Sequence, residues 1–104
     1  MILSTTHSVP NREIIANLGI ARGSTVRARN IGRDIIAGFK NIVGGEIEEY
    51  TQLQADAREE AIQRMIDDAV KLKADAIIGI NITTAMIMKG AAEILVYGTA
   101  VKLK

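Results

Sequence analysis

The chain has 104 residues, 48% of them hydrophobic and 24% charged, with a formal net charge of +1 and no cysteine. A length of this order holds one core and one domain, spanning residues 1–104, and the apolar fraction is too high for a disordered chain. The absence of cysteine excludes a disulfide framework, a thiolate zinc site and a thiol nucleophile, and one histidine does not build a His-based metal triad within a single chain.

The start of the chain, Met1 to His7, has neither a basic segment nor a long apolar run, and no apolar stretch approaches the ~20 residues that span a bilayer. The expectation is a cytoplasmic protein without a membrane partner. Charge is uneven: residues 1 to 44 carry +4, residues 45 to 75 carry −5 and residues 76 to 104 carry +2. The acidic block coincides with a helical pattern and reads as a solvated helix face.

Met1 to Thr6 reads as a first strand, broken at Pro10-Asn11. From Arg12 to Arg29, β-branched residues interrupted by Gly19 and Gly23 predict a long, bent or bulged strand pair. Arg22, Arg27 and Arg29 fall near one another there. In a nearly neutral chain they read as an exposed strand face rather than a nucleic-acid patch. Asp34 to Val43 places Ile35, Ile36, Phe39, Ile42 and Val43 at helical spacing, and Gly44-Gly45 ends this short helix.

Thr51 and Gln54 match a capping box, so a second helix is expected to start at Thr51. Its apolar stripe of Leu53, Ala57, Ala61, Met65, Ala69 and Leu72 runs to about Lys73, and its alanines admit close backbone packing on a sheet. Asp75 to Ile87 returns to strand chemistry, with Ala76, Ile78, Ile80 and Ile82 expected on one face and Ile77, Gly79, Asn81 and Thr83 on the other. Lys89-Gly90 supplies a turn into a partner strand, Glu93 to Leu103. Both faces of this hairpin are apolar or small. Helices of one chain cover one face, so the other calls for a neighbouring subunit. The fold class is α+β, a mostly antiparallel sheet packed against two helices.

Gly44-Gly45-Glu46, Tyr50, Leu53, Ala57-Arg58 and Ala61 are followed by Ala74-Asp75-Ala76, Gly79, Glu93-Ile94 and Tyr97-Gly98-Thr99-Ala100-Val101. With Gly19, Gly23, Gly32 and Asp34 upstream, this succession resembles the YbjQ family of small bacterial and archaeal proteins, named for heavy-metal binding. The resemblance covers essentially the whole chain. It implies a dodecin-like subunit assembled into a ring-shaped homopentamer, with no established activity. The chain departs from the family where an acidic and hydroxylated segment is often found: it reads Asn81-Ile82-Thr83-Thr84-Ala85-Met86, without a carboxylate.

Each candidate site has a plainer competitor. Met86 and Met88, two residues apart in an extended segment, would present two thioethers to one side for a soft ion such as Cu(I). The competing role is gap-filling at a hairpin end. His7 is a good ligand for Cu, Zn or Ni once symmetry repeats it, and otherwise a polar surface residue. Glu46, with Glu48 and Glu49, offers hard oxygen donors suited to Mg or Ca, or else caps the helix and pairs with Arg58 or the Arg27 and Arg29 region. Gly44, Gly45, Glu46, Tyr50, Arg58, Asp75, Tyr97, Gly98 and Thr99 form the structural or interface motif.

Gly19 and Gly23 do not make a phosphate loop, and His7 beside Ser8 lacks the third group that would orient a base. With Phe39, Tyr50 and Tyr97 as the aromatic residues, there is no stacking platform for single-stranded nucleic acid. The expectation is therefore a non-enzymatic homo-oligomer that binds a metal ion or small ligand at subunit interfaces or a ring axis. The alternative is an assembly protein that binds another protein through its ring surface.

Overall fold

The computed structural model describes residues 1–28 and 46–104, and the side chains of 1–26 and 55–104. Four strands and one helix follow in order: β1 (Ile2–Leu3), β2 (Ile14–Ala28), α1 (Glu46–Lys71), β3 (Ala76–Met88) and β4 (Ala91–Leu103). They form one mixed sheet of order β1-β3-β4-β2, in which β4 pairs antiparallel with both β3 and β2 while β1 joins β3 in parallel. The class is α+β, as the residue patterns predict. The expected helix over Asp34 to Val43 and its Gly44-Gly45 stop lie outside the described residues.

β2 is one strand, not the expected pair. The expected bulging is present, as register shifts between Ile14 and Ala16 and between Asn17 and Gly19. The first strand is also shorter than Met1 to Thr6, and only its first two paired residues follow β3 regularly.

α1 begins at Glu46, a full turn before the expected cap, which places Thr51 and Gln54 inside the helix. Glu46, Glu48 and Glu49 are good helix formers and their charges suit a helix N-terminus, so these residues extend the helix past the capping box. Its other end closes in a Schellman pattern: Ala74 N–H donates to Ala69 O at 3.1 Å and Lys73 N–H to Val70 O at 2.9 Å. Lys73 takes the left-handed conformation, φ 61°, where glycine is usual.

Of the expected stripe, Ala57, Ala61, Met65 and Ala69 are fully buried against Ala21, Ile77, Ile94, Val96 and Ala100, whereas Leu72 lies past the end of α1 in its closing turn and is exposed, and the Leu53 side chain is outside the description. Contact is so close that a Cβ on Gly23 would overlap Ala61 O and Met65 N of the helix backbone. Thr25, buried beside this crossing, satisfies its hydroxyl by donating to Ala57 O at 3.0 Å. A smaller cluster of Val9, Ala76, Ile78, Val101 and Leu103 fills the opposite face near the chain's two ends.

The expected face assignment of β3 fails beyond Ile78. Between Ile78 and Asn81 the register slips by one residue, so Gly79 and Ile80 both stand against Gly98. Ile80 consequently packs with Ile77 and the helix-side core, while Ala76 and Ile78 belong to the other cluster. A single inserted residue exchanges the faces of everything after it. Gly79 supports this with φ 61°.

Candidate functional site

β4 is central, and its residues 97 and 99 point away from the helix, on the face of Val101. Tyr97 stands in register between Arg22 of β2 and Asn81 of β3, and Thr99 between Ile20 and Ile78. Arg22 and Asn81 are exposed, and Tyr97 retains 36% of its surface. Ile20, at 71% exposure, and Val26 lie on the same open face. Gly98 points to the helix side, where a Cβ would come 2.7 Å from Ile77 Cγ2 and 2.9 Å from Ile78 O. The sequence pattern pointed to Tyr97, Arg22 and Asn81 separately but not to their standing in one row. Strand pairing supplies that information, and an unbroken alternation on β2 was the available signal. Of the three arginines expected near one another, Arg22 is exposed across from Tyr97, the backbone of Arg27 pairs with Ala92, and Arg29 lies outside the described residues.

His7 sits in the segment that follows β1 and lies against the β3 bulge. Gly79 N–H donates to Thr6 O at 2.8 Å, and a Cβ on Gly79 would come 3.1 Å from His7 Nδ1. Beside it, Ser4 Oγ and Thr6 Oγ1 are 2.6 Å apart and Thr6 Oγ1 donates to Ser8 O, so the hydroxyls of this loop are spent on its own turn. Met86 and Met88 lie at the far end of the hairpin, 81% and 66% exposed. A register shift separates them: Met86 is opposite Ala92 and Met88 opposite Ala91, adjacent residues of β4, so the expected shared side is lost. Seven residues separate Gly79 from Met86, roughly 23 Å of strand at ~3.3 Å each, so His7 and the methionines of one chain do not meet.

Asp75 ties the helix end to the sheet. Its Oδ2 accepts from Leu103 N–H at 2.9 Å and its Oδ1 from Lys102 Nζ at 3.3 Å, while Lys102 Nζ also donates to Lys73 O. The Leu103 bond, with Lys102 and Arg12 adding to it against partial desolvation, holds the Asp75 carboxyl below its usual range. Arg58 is exposed on α1. Glu46 and Tyr50 are placed on α1 with side chains outside the description, and Gly44 and Gly45 lie outside the described residues. Among the described residues, no three His, Asp or Glu side chains converge.

The family model described as "Putative heavy-metal-binding" for YbjQ proteins matches residues 1–104. The chain belongs to the YbjQ family. Among YbjQ relatives, a UPF0145 protein of Archaeoglobus fulgidus is 57% identical over 104 residues, covering 100% of this chain and 96% of that one. UPF0145 proteins of Colwellia psychrerythraea and Methanosarcina acetivorans are 55% and 50% identical, over 100% and 99% of this chain and 99% and 97% of theirs. A solved structure from Pediococcus pentosaceus, a DUF74-family protein of unknown function, superposes with a TM-score of 0.69 at 18% identity, covering 100% of this chain and 98% of that one. At that identity the likeness is one of fold. No described helix is long and apolar enough to cross a membrane.

Proposed function

We propose that this YbjQ-family protein is a non-catalytic, homo-oligomeric binding module of the cytoplasm. It holds a heavy-metal ion or other small ligand where copies of the chain meet. One observation carries the reading: every residue from Asn81 to Gly90 is exposed, including Ile82, Met86, Ile87 and Met88, on a hairpin arm that no described side chain covers. Exposed apolar surface of this kind marks a place where another surface packs. The elongated form supports this, since the radius of gyration is 17.4 Å against roughly 13 Å for a compact chain of about this length.

Association also answers the ligand shortage. One His7, Met86 or Met88 per chain is a poor site, but a symmetric ring, five-membered in the resemblance that first marked the family, repeats each donor around an axis. Soft thioethers and imidazole suit Cu(I), Zn(II), Ni(II) or Cd(II).

Titration of metal-free protein with those four ions, followed by calorimetry and thermal melting, tests the proposal. At least one ion is expected to give saturable heat and raise the melting temperature, because a ligand that binds the folded state stabilises it. Heats and melting temperatures unchanged by all four overturn the metal reading and favour an assembly protein that binds another protein.

A further inference from the structure

The open face of the sheet gathers hydrogen-bond donors around one arginine, Arg22, whose guanidinium lies on the face opposite the helix that carries Asp68. β2, β4 and β3 bring Arg22, Tyr97 and Asn81 into a single cross-strand row, and the next row brings Ser24, Leu95 and Thr83. Neighbours in such rows have Cβ atoms ~4.5–5.5 Å apart, within reach of one small ligand. Glu93 is the carboxylate that β4 places on this face, four residues from Tyr97, or roughly 13 Å along the strand. The Arg22 backbone N–H is held by Asp68 Oδ2 at 3.0 Å, which fixes the strand at this point. Its guanidinium makes no hydrogen bond or ion pair with any described residue.

A guanidinium presents five donors in a planar fork suited to an oxyanion, and hydroxyl and amide groups beside it add more. Exposed apolar neighbours, Ile20 above all, lower the local polarity and strengthen such a contact. From charge complementarity we propose that the row Arg22–Tyr97–Asn81 is a binding site for a small oxyanion, a carboxylate or a phosphate group, with Arg22 as the charged anchor and Tyr97 and the second N–H of Asn81 as orienting donors, the first N–H of Asn81 Nδ2 being held by Gly79 O at 3.1 Å. This deepens the binding-module reading by naming an anionic ligand class, yet it needs neither a metal ion nor a second chain.

The probes are acetate and inorganic phosphate, titrated separately into isotopically labelled protein at constant ionic strength, with chloride as the control. Amide resonances of β2 and β4 around Arg22 and Tyr97 are expected to shift saturably with at least one probe and not with chloride. Which probe saturates separates a carboxylate ligand from a phosphate one. Arg22→Gln should weaken binding at least tenfold, Arg22→Lys less, and Tyr97→Phe a few-fold, with melting temperatures close to that of the wild type. No saturable shift with either probe overturns the proposal, as does an Arg22→Gln variant that binds as tightly as the wild type. Anion binding by a chain that ignores all four metal ions would leave this site standing while removing the metal reading.

Discussion

The carboxylate of Asp75 joins three parts of the molecule, because it accepts from Leu103 and Lys102 at the end of β4 while its own backbone carbonyl receives Ile2 N–H of β1 at 3.2 Å. A carboxyl whose folded value lies below its usual 3.8 favours the folded state when ionised. That contribution is fully present above the usual value and is lost as pH falls below it through the folded one. Asp75→Asn should therefore lower the melting temperature at neutral pH, and the gap to the wild type should close below pH 3.8. An Asn variant that melts with the wild type at pH 7 would contradict this role. The sequence made Asp75 visible as part of Ala74-Asp75-Ala76, but its partners stand 27 and 28 residues away and follow from strand pairing. The same limit hid the Arg22 row and misjudged the methionines. Spacing gives the face of a residue only while the strand alternates, and a bulge between Met86 and Met88 breaks that rule without a marked local signal.

Among the elements, the helix stripe and the hairpin turn were legible because both rest on local periodicity and local turn chemistry. Ala57, Ala61, Met65 and Ala69 are buried as their four-residue spacing predicts, and Lys89-Gly90 closes the hairpin with Gly90 at φ 82°. The start of α1 was misread because a good cap signal at Thr51 was outweighed by helix-forming residues ahead of it. The bulge at Gly79 was missed because the segment that hydrogen-bonds to it, through Thr6 O and Ser4 O, lies more than seventy positions away in the chain. At the helix's other end Lys73 occupies a conformation that costs an L-residue about 1–2 kcal/mol. Part of that is returned by the smaller chain entropy of lysine in the unfolded state. Lys73→Gly should accordingly stabilise the protein by about 0.5–1 kcal/mol in urea unfolding. A loss of stability would show that the lysine side chain contributes more to the cap than its backbone strain costs.

At the scale of the whole molecule, the sequence showed a hairpin apolar on both faces, of which the chain's own helices were expected to cover one, and the structure shows where exposed apolar residues lie on it. β1 and the loop after it pair with β3 through Ile80, where Ile80 N–H donates to Ser4 O at 3.1 Å. From Asn81 to Met88 the outer edge of β3 has no partner among the described residues, and this stretch contains neither charge nor proline. Unprotected edges of this kind pair with another strand or aggregate. β2, at the opposite border, is partly shielded, since α1 supplies Asp68 to Arg22 N–H and Arg64 to Ser24 O at 2.6 Å. The hydrophobic pattern was readable from one chain, whereas the identity and number of neighbours depend on surfaces that a single chain does not encode by spacing.

On this reading the working unit is an assembly, and its metal site lies between copies of the chain. Native mass spectrometry of untagged protein, prepared without chelators, tests it most directly because one spectrum gives both subunit number and retained mass. The account predicts a single closed oligomer, five chains if the family resemblance holds, that takes up the mass of a bound ion or small molecule. A spectrum with only the mass of one bare chain across micromolar concentrations would contradict it.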